Sequence, residues 1–86
     1  MIVLYTRVST LPRLEEFADQ IDAQIDVHLL ADGAPIFKES TKAPEVAVDA
    51  SVALPDSLAA LEREKKISIV RIETAALTEI RRSFGC

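Results

Sequence analysis

A chain of 86 residues with a formal net charge of −4, 49% apolar and holding one cysteine and one histidine, has the size of a single domain that buries only about 60 to 65% of its unfolded surface. Its acidic balance argues against direct nucleic-acid binding or an acidic-membrane surface. No zinc site and no internal disulfide can be built from one Cys and one His, so a reducing, cytoplasmic compartment is expected, with no metal and no cofactor.

The apolar start, residues 1–5, has no basic stretch before it and meets Arg7 at once, so it is expected as a first strand rather than a signal peptide or anchor. Residues 2–8 are rich in β-branched side chains and are bounded by Ser9, Thr10 and Pro12, a strand running into a helix start. Leu14, Phe17, Ala18 and Ile21 then recur at helical spacing, with Glu15 and Glu16 early in the helix where the macrodipole favours them. After a return at 22–24, residues 25–31 form a second strand. Its stretch Asp26-Val-His-Leu-Leu-Ala-Asp-Gly33 is a short apolar run closed by Asp32 and Gly33, the pattern of an interior, parallel strand ending in a turn.

Residues 34–40 contain Pro35, Ile36 and Phe37 and allow a helix of one or two turns, and 41–44 read as loop. In 45–50, Val46 and Val48 alternate with small or acidic residues as in a third strand. Leu54, Leu58 and Leu61 follow at helical intervals around Pro55, and Lys65 with Lys66 closes that helix. Residues 67–72 form a strong fourth strand. Thr74 is placed to cap a last helix whose Leu77, Ile80 and Phe84 share one face, ended by Arg81, Arg82 and Gly85.

The alternation is βαβαβαβα, which predicts one α/β domain over 1–86: a three-layer sandwich around a four-stranded, mostly parallel sheet. A doubly wound order 2-1-3-4 centres strands one and three and opens a crevice beyond their carboxyl ends. Arg7, Ser9, Asp49 and Ser51 are the polar residues expected there, as candidates to hold a small ligand or serve a small enzyme.

Tyr5-Thr-Arg-Val-Ser-Thr10 resembles the opening of serine recombinases, a likeness that implies Ser9 as nucleophile and Arg7 as a phosphate ligand. The family's later Asp-Arg-x-x-Arg motif has no counterpart here, and Ser9 without further arginines lacks the means to stabilise a phosphodiester transition state. Ser and Thr at the end of a strand also serve as ordinary helix caps.

A second resemblance covers the whole chain. The opening strand into Thr6-Arg7, a helix, Leu29-Leu-Ala-Asp-Gly33, a short helix, a valine-bearing strand and a last strand–helix pair are similar to the DsrE/DsrF/DsrH superfamily, above all its small DsrH/TusB-like branch. Ala34 stands where that branch has valine after Asp-Gly, and Ala50-Ser-Val-Ala-Leu-Pro-Asp56 replaces its Asp-x-x-Ala-Arg-Gly segment. The resemblance implies a cytoplasmic subunit of a sulfur-relay assembly, in tRNA thiolation or sulfur oxidation, either a homo-oligomer or a partner of DsrE/DsrF-like subunits. Persulfide-carrying members place a cysteine in a loop of the core, and this chain has none there, so a non-catalytic subunit is implied. Cys86, behind Gly85 at a helix C-terminus, sits where the dipole disfavours a thiolate; it is the secondary candidate for a sulfur carrier. His28, mid-strand between Val27 and Leu29, is a candidate base with no evident partner, and a candidate interface residue if its strand lies at an edge.

Overall fold

The computed structural model describes residues 2–37 and 43–85. Four strands, β1 (Ile2–Arg7), β2 (Ile25–Leu30), β3 (Glu45–Asp49) and β4 (Ser68–Ile72), form one sheet in the order β2-β1-β3-β4. That is the expected order, and β2 is therefore an edge strand rather than an interior one. Helix α1 (Leu11–Glu15) is short and is flanked by 3₁₀ turns at Val8–Thr10 and Ala18–Gln20; α2 (Asp56–Arg63) and α3 (Thr74–Phe84) complete the α/β architecture. The expected helix over 34–40 is turn rather than helix through Phe37, and its remainder lies outside the described residues.

Strand direction is the feature that the alternation pattern does not carry. β1 pairs parallel with β2, and β3 parallel with β4, but β1 and β3 meet antiparallel, with Tyr5 opposite Ala47. A parallel β3 needs a crossover that carries the chain back along the sheet. Among the described residues of the link after β2 the chain turns back at once: Ala34 N–H bonds to the Ala31 carbonyl, and Phe37 lies against Arg7 at the end of β1. β3 therefore starts where β1 and β2 finish, and Thr6 Oγ1 donates to the Glu45 carbonyl at 3.0 Å.

This reversal decides which faces are covered. The partner of Ile2 is Ile25 and that of Glu45 is Ser68, 23 residues on in both cases, so β1-α1-β2 and β3-α2-β4 are matched units related by a pseudo-two-fold axis through the sheet. Rotation about such an axis sends like crossovers to the same face. Leu14 of α1 and Leu58 and Leu61 of α2 accordingly share one core with Ile2, Leu4, Val46, Val48, Ile67 and Ile69. The opposite face, built on Tyr5, Leu30 and Ala47, is left to α3, whose Leu77 is buried there with Ile80 and Phe84 against it. α3 runs from the Asp49 end of the sheet, where Thr74 bonds the Asp49 carboxylate, to the far end of β2, where Ala31 N–H donates to the Phe84 carbonyl.

Candidate functional site

Antiparallel central strands put the carboxyl ends of β1 and β3 at opposite ends of the sheet. The crevice expected from Arg7, Ser9, Asp49 and Ser51 is therefore not one site: the structure brings Arg7 near Ser9, and Asp49 to Ser51, but does not bring the two pairs together.

At the first end, alternation along β1 turns Arg7 onto the α3 face, where its side chain is 10% exposed, 3.6 Å from the 2% exposed Glu45 carboxylate and 5.4 Å from the centre of the Phe37 ring. Arg7 Nε is buried with no hydrogen-bond partner. Ser9 is exposed on the turn after β1, and its N–H donates to Asp32 Oδ1 at 3.1 Å. Asp32 thus ties the turn after β2 to the turn after β1. Gly33 beside it keeps negative φ, and a Cβ added there would meet no atom within 4 Å. A buried, ion-paired arginine and a tethered serine backbone form a structural corner, not a nucleophile with its phosphate clamp.

At the second end, Asp49 Oδ1 accepts from the Ser51 N–H at 2.9 Å, from Ser51 Oγ at 2.7 Å and from Thr74 Oγ1 at 2.7 Å. The Ser51 backbone bond, then the Ser51 and Thr74 hydroxyls, hold its carboxyl below the ordinary value of 3.8. Thr74 does not cap α3 with its own hydroxyl, as its place in the sequence predicts. It is instead the first helical residue, behind Glu73 at the cap position, and it spends that hydroxyl on Asp49. The result staples the β3 exit to the start of α3.

The third set is only partly visible in sequence. Tyr5 and His28 are register partners on neighbouring strands, their rings 5.6 Å apart and tilted by 41°. His28 Nε2 lies 3.1 Å from Asp26 Oδ2, two residues back on the same face of β2, and the Arg81 guanidinium stands 5.8 Å over the Tyr5 ring. The partner of His28 that sequence reasoning missed is thus Asp26, and the period of a strand is the signal for it. Tyr5 and Arg81 needed the strand order and the path of α3. No serine, threonine or cysteine hydroxyl or thiol is bonded to this imidazole among the described residues, so the set offers hydrogen bonding and charge rather than an activated nucleophile.

Surface clefts do not gather the predicted residues either. One of about 130 Å³ is lined by Ile2, Val3, Tyr5, Asp49 and Val52, below the 300 Å³ or more typical of small-molecule sites. A wider apolar hollow of about 460 Å³ adjoins it at Ile2 and Val52. Another, of about 270 Å³, lies between Arg13, Phe17 and Lys66.

What His28 and Asp26 flank is an open strand edge. Ile2 N–H donates to the Gln24 carbonyl, and this fixes the parity of the parallel ladder: Asp26, His28 and Leu30 turn their backbone groups to β1, while Ile25, Val27 and Leu29 turn theirs outward. Among the described residues nothing pairs with the outward groups of Ile25 or Val27. Only at the end of β2 does another segment meet the edge, through an antiparallel bridge from Leu30 to Gly85. Among the described residues no group of three or more His, Cys, Asp or Glu is placed to hold a metal, and no helix is long and apolar enough to cross a membrane. No protein-family model matches the chain, and neither the curated proteins nor the solved structures yielded a match.

Proposed function

We propose that this chain is a small, non-catalytic α/β subunit that acts by assembly, with copies of itself or with other subunits. The observation that carries this reading is the outer edge of β2, with outward backbone groups at Ile25 and Val27, an uninterrupted apolar row on one side and the Asp26–His28 pair on the other. Unpaired strand edges of this kind are templates for a further strand. The dispersal of Arg7, Ser9, Asp49 and Ser51 to two ends of the sheet weighs against a ligand crevice.

Sulfur relay is the pathway in which we place the subunit, on the support of the Leu29–Gly33 element and the chain-wide element order. In that role the persulfide cysteine belongs to a DsrE/DsrF-like partner. Cys86, the secondary candidate for carrying sulfur, lies outside the described residues.

The test is native mass spectrometry of a tagged copy purified from its own host. A stoichiometric complex, of identical or different subunits, is the expected result, and a larger partner bearing a persulfide cysteine would add the pathway. A lone monomer at high concentration with nothing co-purifying rejects assembly as the function.

A further inference from the structure

Resting on that assembly reading, we propose that the β2 edge takes a second copy of the same edge, antiparallel, with Val27 of one copy opposite Val27 of the other. The argument begins with parity. Ile25, Val27 and Leu29 face outward, so an antiparallel partner must set odd-numbered residues against odd-numbered ones for the ladder to form. Centring on Val27 does this along the strand: Val27 pairs with Val27, and Ile25 with Leu29 in both directions. It also places Asp26 of each copy directly opposite His28 of the other, at the non-hydrogen-bonded positions where side chains approach most closely.

Neighbouring registers that keep the parity lose this complementarity. Centring on Asp26 sets two carboxylates face to face, which like charge disfavours, and centring on His28 sets two imidazoles face to face, which takes each away from the partner's Asp26 carboxylate. Only the Val27-centred register joins all three apolar residues on one face and both opposite pairs on the other. The edge has no proline, lysine or bulge of the kind that blocks strand addition. The opposite edge is less suited, since β4 places Arg71 at an outward position, with its guanidinium 3.5 Å from Glu62 of α2.

The bridge from Gly85 to Leu30 stands where Gln24 of the second copy would arrive. Gly85 therefore gives way when the pair forms, and it competes with the partner for the last position of the edge.

The experiment is sedimentation equilibrium of the full chain carrying Cys86→Ser, so that no tail disulfide contributes, from micromolar to about 1 mM. Asp26→His and His28→Asp are prepared singly; both side chains are solvent-accessible, and circular dichroism checks their fold. Each single variant sets like groups opposite each other and is expected to dissociate about tenfold more readily than the parent. Mixing the two variants is the decisive step, because a mixed pair has imidazole opposite carboxylate at all positions although each chain alone has lost its own Asp26–His28 pair. Preferential mixed dimers, seen by native mass spectrometry of one isotope-labelled partner, support the register. A dimer indifferent to both substitutions, or mixing no better than chance, overturns the edge while leaving assembly through another surface intact. A strictly monomeric parent at 1 mM overturns self-pairing and leaves only assembly with different subunits.

Discussion

Asp49 shows how a polar residue that reads as a ligand candidate becomes a fastener. Three donors, from Ser51 and Thr74, favour its ionised form and lower its pKa from 3.8. A group whose folded pKa is depressed adds stability above its unfolded value and loses it as pH falls through the folded value. The urea midpoint of the parent is therefore expected to fall below about pH 4, and Asp49→Asn to show a shallower decline over that range while being less stable at pH 7. Equal slopes for the two proteins would contradict the assignment. Arg7 makes the companion case in a drier place. Its 3.6 Å contact with the buried Glu45 carboxylate means that Arg7→Met removes a cation from beside a buried charge, at a cost of about 3 kcal/mol. The double change Arg7→Met with Glu45→Leu is expected to cost less than that single one, since it removes both desolvated charges; denaturant titration of the three variants reads the difference.

At the scale of elements, helix ends follow the local backbone more than the expected residue types. Gly85 follows α3 with φ of −65°, in extended rather than left-handed conformation. The left-handed position falls instead on Lys65, with φ of 62°. Lys66 N–H bonds the Leu61 carbonyl and Lys65 N–H the Glu62 carbonyl, the paired closure of a Schellman motif in which glycine is the unstrained occupant. Lys65→Gly is expected to stabilise the protein by about 1 kcal/mol, a rise in Tm of about 4 to 8 °C for a chain of this size. A loss of stability would mean that the lysine side chain contributes more than its backbone costs. Elsewhere the periodicities carried the elements well. Leu58 and Leu61 bury one face of α2, and Leu77 with Ile80 and Phe84 turns α3 onto the sheet. α1 is shorter than its apolar spacing implies, because after Glu15 the chain tightens into turns that still deliver Phe17 and Ile21 to the core.

For the whole molecule, the pseudo-two-fold arrangement explains an unequal distribution of cover. Two matched β-α-β units place both of their helices on one face, and a single helix crosses the other diagonally, leaving Val3, Asp26 and His28 beside it less than fully buried. The same ladder makes neighbouring residues of β2 unequal. In dilute solution the Val27 amide, facing outward, is expected to exchange its hydrogen at least about tenfold faster than the His28 amide, which bonds back to β1. Similar rates at the two positions would show that the edge is already occupied in the monomer, and protection of Val27 rising with concentration would accompany pairing.

By itself the sequence determined the elements that rest on local chemistry: four β-branched strands, the apolar faces of α2 and α3 and the α/β class. The order 2-1-3-4 was an expectation of the doubly wound pattern, since periodicity does not choose a strand's neighbours, and the sheet matches it. The sequence also marked His28 as a residue to watch if its strand lay at an edge. Only the tertiary structure decided the direction of β3, because direction depends on how the link after β2 folds back, and a one-dimensional pattern of apolar residues is the same for a strand run in either sense. From that one decision follow the separation of Arg7 and Ser9 from Asp49 and Ser51 and the one-sided placement of α1 and α2; the pairing of Tyr5 with His28 comes instead from the parallel register of β1 and β2.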